Sequence, residues 1–350
     1  MDTFCVLPWY SREISGKKHV ACCLLPDNHN IELIKIDLLN GVRNTSCSKC
    51  WDIEDIGNTS RRQQENIFLD YKLDRDLSRI KADCETNNHN INMYQIMTSN
   101  LCNQACVSCS STFSSKWADI DRKIGNVPIK SFTLNVDSLN IDFRTAKRIT
   151  LLGGEPLFDP TSFTILQKLV DADNTSCFVS LVTNGSITLS KPQLDLLSKF
   201  SDLNICISID GIESRFEYMR WPAKWPVLLK NLETYRKIAK TISISYTISA
   251  LNAIYYNETV EWFNNNNLNY NHNVVAGPAW LALKNMSDSI RQILQDNTFF
   301  KKYVYSDNKG ISLTEFSKHI QLQDQVKKIH IKNYLTEIWK LIKLHTDIEY

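Results

Sequence analysis

Asn92-Met93-Tyr94-Gln95-Ile96-Met97-Thr98-Ser99, followed directly by Asn100-Leu101-Cys102-Asn103-Gln104-Ala105-Cys106-Val107-Ser108-Cys109, is the stretch around which the chain is organised. Its first half reads as a β-strand. Its second half is a loop holding three thiols at the spacing C-x3-C-x2-C. A loop this tight turns three thiolates toward one point, as an iron–sulfur cube requires at three of its corners. The fourth iron then lacks a nearby protein ligand and is open to a small molecule. Zinc is the competitor, but a structural zinc site is normally closed by four ligands. No histidine or fourth cysteine follows here at finger spacing.

Outward from this loop, strand-like and helix-like runs alternate. Strands are expected near 92–99, 147–153, 177–184, 203–210, 241–250 and 270–276, and helices near 112–124, 161–172, 190–200, 225–239, 255–266 and 287–297. Repeated strand-then-helix units with right-handed crossovers imply an α/β fold, a parallel sheet with helices outside. The chain has only 10 glycines, and Gly153, Gly154, Gly185, Gly211 and Gly277 all fall at expected strand ends. Glycine is favoured where backbone takes unusual dihedrals or lets another group approach closely, so these positions mark the candidate active face.

The residues after each strand resemble the motifs of the radical S-adenosylmethionine (radical SAM) superfamily, as does the cysteine spacing itself. Leu151-Leu152-Gly153-Gly154-Glu155-Pro156 is similar to the GGEP motif. By that resemblance, exposed backbone and the Glu155 carboxylate receive the SAM ammonium group. Val182-Thr183-Asn184-Gly185 follows the third strand, and Ile207-Ser208-Ile209-Asp210-Gly211 follows the fourth. Ser208 and Asp210 stand where family members meet the ribose and carboxylate of SAM, and Thr247, Ser249 and Asn252 where they place polar residues nearby. The resemblance implies an open partial (β/α)6 TIM barrel over residues 91–285. It also implies a [4Fe–4S] cluster on Cys102, Cys106 and Cys109, with SAM on the open iron. There, one electron cleaves SAM to a 5'-deoxyadenosyl radical. An external reductant such as flavodoxin or ferredoxin is implied as partner. The residue before the third cysteine is often aromatic in the family and packs on adenine; here it is Ser108, which leaves Phe113 or Phe158 for that role.

Residues 1–70 read as a cysteine-rich module, with an apparent hairpin around Ser15-Gly16-Lys17-Lys18. Cys5, one of the pair Cys22-Cys23, Cys47 and Cys50 make four thiolates, the complement of a second [4Fe–4S] cluster or of a zinc ribbon. Spacing leaves both open. The pattern is similar to the SPASM/Twitch auxiliary-cluster modules of radical SAM enzymes, which favours iron and Cys22 over Cys23, although such modules usually follow the barrel. Residues 52–81 suit a helical connector in which Arg61 and Arg62 form a solvated face or meet a carboxylate of substrate or SAM. In the domain scheme, residues 71–90 link module to barrel. Residues 286–350 form a C-terminal helical segment, with helices near 312–328 and 332–346 and Tyr334, Ile338, Leu341 and Ile342 on one face.

Cys206 and Cys177 are expected in the core, and Cys84 either exposed or within reach of substrate. Hydrophobic content of 43%, charged content of 22% and a formal charge of +2 suit a globular protein and give no electrostatic case for nucleic acid. No run approaches the roughly 18 apolar residues of a membrane span, and no signal sequence is evident, so a cytoplasmic location is expected. SPASM/Twitch relatives often modify peptides, so a peptide side chain or amino-acid derivative is the expected substrate. A sugar or nucleotide-linked molecule is the alternative. A non-catalytic iron–sulfur or zinc scaffold or electron carrier is the competing class. No catalytic acid, base or radical relay is assigned.

Overall fold

The computed structural model describes residues 2–345 apart from Lys17, Ile56, Asn58 and residues 306–309. Lys17 of the expected hairpin and residue 346 of the last expected helix therefore lie outside the described residues. Eight strands form one sheet in the order β2-β1-β3-β4-β5-β6-β7-β8. They are β1 (Ser11–Ser15), β2 (Lys18–Val20), β3 (Met93–Met97), β4 (Arg148–Leu152), β5 (Phe178–Thr183), β6 (Leu203–Ser208), β7 (Thr241–Ile248) and β8 (Asn269–Val274). Strands β3 to β8 are parallel and lie in chain order, each followed by helix, as an open partial barrel. The sheet does not begin at β3, however. Strand β1 continues it in parallel register, Glu13 opposite Gln95, and β2 folds back antiparallel as the outer edge.

Side-chain alternation separates the two faces of this sheet. In β6, Leu203, Ile205 and Ile207 are fully buried outward, beneath the helices Pro160–Asp171, Lys191–Leu197 and Trp225–Ile238. Ile149, Leu151, Val179, Leu181, Ile244 and Ile248 do the same from neighbouring strands, making one core between sheet and helices. Each such side chain contributes roughly 1.5–3 kcal/mol by leaving water. The inner face is polar. Glu13, Gln95, Thr150, Ser180 and Asn204 stand in one register across five strands. Gln95 donates to Glu13 at 3.1 Å and Asn204 to Ser180 at 3.0 Å. Cys206 lies on this inner face beside Ser243 and is only partly buried, so it is not the core residue expected. Cys177 is in the core, and Cys84 is not exposed but buried among N-terminal residues beside Tyr10.

The helix Arg61–Leu73 packs against this polar inner face and pairs with its charges. Ser60 and Gln63 form a capping box at its start. One face then lies on the strands: Arg61 pairs with Glu13 at 2.7 Å, Glu65 with Arg148 at 2.6 Å, Phe68 packs on Phe178, and Lys72 pairs with Asp202. The opposite face holds the N-terminal segment. Arg62 donates to the Phe4 carbonyl at 2.6 Å and pairs with Glu54 at 2.8 Å, while Asn66 donates to Phe4 O and accepts from Val6 N. Neither arginine belongs to a solvated face, because both guanidiniums are paired inside the protein, Arg61 with the buried Glu13 and Arg62 with the partly buried Glu54. The C-terminal helices are Leu313–Lys327 and Thr336–His345, with Ile338 and Ile342 buried; Tyr334 precedes the second and packs on Tyr218. Among the described residues no helix is long and apolar enough to cross a membrane.

Candidate functional site

The three-cysteine loop leaves β3 and is tied down on three sides. Ser99 and Leu101 carbonyls accept from Gly154 N at 2.9 Å and Glu155 N at 2.8 Å. Ala105 N and Val107 N donate to the carbonyls of Trp221 and Met219 at 2.8 and 2.9 Å. From the following helix, Ser115–Lys123, the Trp117 indole donates to Cys106 O at 2.8 Å. The loop lies so close to the end of β4 that a Cβ on Gly153 would fall 2.4 Å from Ser99 O and one on Gly154 2.1 Å from Leu101 O. Packing of backbone on backbone is thus what these two glycines permit.

Cys102, Cys106 and Cys109 line one cavity of about 350 Å³ at the C-terminal mouth of the barrel. Leu152, Gly153 and Gly154 from the end of β4, Asn184 from β5, Ser208 from β6 and Thr247 from β7 complete it. Phe113 stands at its wall and is half exposed, whereas Phe158 is not part of it. Asn184 donates to Asn103 at 2.8 Å, joining the strand end to the cysteine loop.

Other expected contacts are turned away from the cavity. The Glu155 carboxylate is 1% exposed and accepts from Leu157 N at 3.0 Å, Thr183 Oγ1 at 2.7 Å and Asn184 N at 2.6 Å. It therefore braces the β4 and β5 ends rather than offering itself to an ammonium, and Pro156 is buried behind it. Burial raises the Glu155 pKa to about 7 despite those hydrogen bonds. Asp210 is paired with Arg220 at 2.6 Å and accepts from Thr247 N at 3.0 Å, so its charge is spent inside the protein. Ser249 and Asn252 are buried in the turn after β7, where the Asn252 amide bridges Asp210 O and Thr247 O.

Burial pushes the thiols of Cys102 and Cys109 up to about 12, with Cys106 beside them adding repulsion between thiolates. Burial raises Cys106 too, while Arg220, 3.9 Å from its sulfur, opposes the rise. Three thiols, one buried and two partly buried, with this mutual penalty become thiolates readily only around positive charge, which a metal cluster would provide. Gln104 Nε2 is buried at the same cavity without a hydrogen-bond partner, a donor left for the cavity's contents. These features fit a [4Fe–4S] cluster with a small molecule beside it.

The second cysteine set comes together as well. Cys5, Cys22, Cys47 and Cys50 line an apolar cavity of about 30 Å³ with Leu7, Ile34 and Leu38, and Arg62 at its wall. Burial raises Cys5 to about 12 and Cys47 to about 11, and thiolate repulsion from Cys50 adds to both. Cys23 faces elsewhere, accepting from Arg61 beside a cavity of about 280 Å³ lined by Glu13 and Gln95. Among the described residues no three His, Cys, Asp or Glu side chains converge as around a single ion.

Two cations near the three-cysteine loop were not expected from the motifs. Arg220 follows from chemistry the sequence does show, since a buried Asp210 needs a positive partner. Lys327 falls on the apolar stripe of its helix with Leu313, Phe316, Ile320 and Asp324, a position where a lysine is unusual.

No family model matches this chain, and no curated protein matches it. Among solved structures it is similar to native anSMEcpe with bound AdoMet, at 16% identity over 62% of this chain and 63% of that chain, TM-score 0.43. It is similar also to Streptococcus suis SuiB bound to S-adenosylmethionine, at 11% identity over 67% of this chain and 51% of that one, TM-score 0.38. The chain thus spans about three fifths of the length of the first of these, 63%.

Proposed function

We propose that this chain is a radical SAM enzyme with two iron–sulfur clusters. The observation that carries the reading is the single cavity bounded jointly by Cys102, Cys106 and Cys109 and by the ends of β4 to β7. Cys102, Cys106 and Cys109 would hold the [4Fe–4S] cluster, and Gly153, Gly154, Asn184, Ser208 and Thr247 would surround SAM on its open iron. Bound there and given one electron by an external reductant such as flavodoxin or ferredoxin, cluster and SAM would supply, with methionine leaving, a 5'-deoxyadenosyl radical able to take a hydrogen atom from substrate. The chain's own share is positional. Glu155 locks the strand ends, the Arg220–Asp210 pair keeps a guanidinium beside Cys106, and the helix Arg61–Leu73 is pinned to the barrel's inner face through Arg61 and Glu13.

Cys5, Cys22, Cys47 and Cys50 would hold an auxiliary [4Fe–4S] cluster within a module of residues 1–70, joined through residues 71–90 to the barrel at 91–285 and the helical segment 286–350. With all four corners occupied by cysteine, that cluster would carry electrons rather than bind substrate. A peptide side chain or amino-acid derivative is the proposed substrate.

Anaerobic reconstitution with iron and sulfide, iron counting, and an assay for 5'-deoxyadenosine with SAM and dithionite test the proposal. About eight irons per chain with deoxyadenosine formed is the expected result. About four irons with deoxyadenosine formed would keep the radical chemistry and make the N-terminal set a zinc or empty site. A full iron complement without deoxyadenosine would overturn the enzymatic reading in favour of a scaffold.

A further inference from the structure

Lys327, at the C-terminal end of the helix Leu313–Lys327, is 3% exposed, and its Nζ has no hydrogen-bond partner among the described residues. The ammonium lies 5.1 Å from the ring centroid of Trp117, and the indole of Trp117 donates to Cys106 O at 2.8 Å. Val326 packs beside it on Ala105, Trp117 and Ile120, which fixes the helix end against the cysteine loop. The nearest acid on its own helix is already engaged: Asp324 accepts from Tyr218 Oη at 2.8 Å and Ile331 N at 2.7 Å. Burial lowers the Lys327 pKa to about 7, and the negative groups that oppose this and favour its charged form are the thiolates of Cys106 and Cys109 together with Asp324.

An ammonium buried without a partner is strongly unfavourable, and stacking on one indole offsets only part of that cost. Its charged form is therefore retained only with a countercharge nearby, and the cysteine loop, to which Trp117 is hydrogen-bonded, is where one can sit. A cube held by three thiolates carries net negative charge, which increases on reduction.

Resting on the function proposed above, we infer that Lys327 is a positioning residue for the three-cysteine cluster. Its ammonium, held between the C-terminal helix and Trp117, is the cluster's buried countercharge and favours its reduced form. The C-terminal segment thereby sets how readily the cluster accepts an electron, without touching SAM or substrate.

The test is the midpoint potential of the SAM-sensitive EPR signal, which distinguishes this cluster from the auxiliary one, measured in parent, Lys327→Met and Lys327→Arg. Methionine keeps the volume and removes the charge. The expected result is a midpoint lower by about 59 mV in Lys327→Met, a tenfold loss in the one-electron equilibrium, with Lys327→Arg near the parent. Equal iron content with an unchanged midpoint in Lys327→Met overturns the inference, as does an equal shift in Lys327→Met and Lys327→Arg. If Lys327→Met does not fold, Lys327→Gln removes the same charge and is judged by the same potential. A parent chain that takes up no iron on Cys102, Cys106 and Cys109 defeats the proposed function itself. A normal parent cluster indifferent to Lys327 defeats this inference alone.

Discussion

The two cysteine sites are built in opposite ways. The set Cys102, Cys106 and Cys109 comes from one loop and opens on a cavity of about 350 Å³ walled by strand ends. The set Cys5, Cys22, Cys47 and Cys50 is gathered across 45 positions of chain into an apolar cavity of about 30 Å³. Open space beside three donors suits ligand binding, and closure around four suits electron transfer. The supports differ too. The first loop is fastened by backbone hydrogen bonds from Gly154, Glu155, Ala105 and Val107. The second depends on a side-chain network running from Glu54 through Arg62 to Phe4. A site made locally needs only its immediate neighbours, whereas one made from distant segments needs buried ionic ties to hold them in place.

Single cysteine replacements break this comparison most sharply. Cys106→Ala is expected to lower iron from about eight to about four per chain and to reduce deoxyadenosine formation to background. Cys47→Ala should remove a similar amount of iron yet leave deoxyadenosine formation intact. Iron analysis beside product quantification reads both, and loss of deoxyadenosine in Cys47→Ala would show that the sites are not separable.

A smaller effect is expected from Arg62→Ala, which removes the two guanidinium bonds to Glu54 and the donor to Phe4 O and leaves Glu54 only Ser60, at a combined cost of roughly 3–5 kcal/mol. Urea unfolding of the iron-free chain measures it. The N-terminal cysteines should become reactive toward a thiol reagent before Cys102, Cys106 and Cys109 do. Simultaneous exposure of both sets would mean that the two sites share one support.

The smallest expected effect concerns the brace under the open cavity. Because folding raises the Glu155 pKa to about 7, its protonated form is the one favoured in the native state. That contribution is fully present below the ordinary glutamate range near 4.3 and is lost as pH rises through 7. Glu155→Gln should therefore flatten the pH dependence of stability between about 4.3 and 7 by an amount on the order of 3 kcal/mol. Thermal melts of the iron-free chain across that range test it, and parallel curves for parent and variant would show that Glu155 does not titrate there.

Much of the barrel was legible because strand alternation and strand-end glycines are local signals. The run Leu203 to Ser208 announces both a strand and its buried face, and the tight spacing of Cys102, Cys106 and Cys109 announces that they share one cavity. Strand β1 was not legible as part of the same sheet, since five residues carry no mark of which strand they will pair with. Gly153 and Gly154 were legible as special positions but not in their role, because a glycine that admits a ligand and one that admits another loop look alike in sequence. Glu155, Asp210 and Asn252 were identified as polar groups near the site, but their partners are backbone and side chains brought in from elsewhere.

The sequence by itself determined the order of strands and helices, the three-thiol loop and the polar strand ends, because periodicity and short spacing act within a few residues. Only the tertiary structure decided which thiols share a cavity in the N-terminal set, which carboxylates face inward, and that Arg220 and Lys327 approach Cys106. Those outcomes depend on burial and charge compensation between segments distant in the chain, more than a hundred residues apart for the two cations, and chain order alone does not specify them.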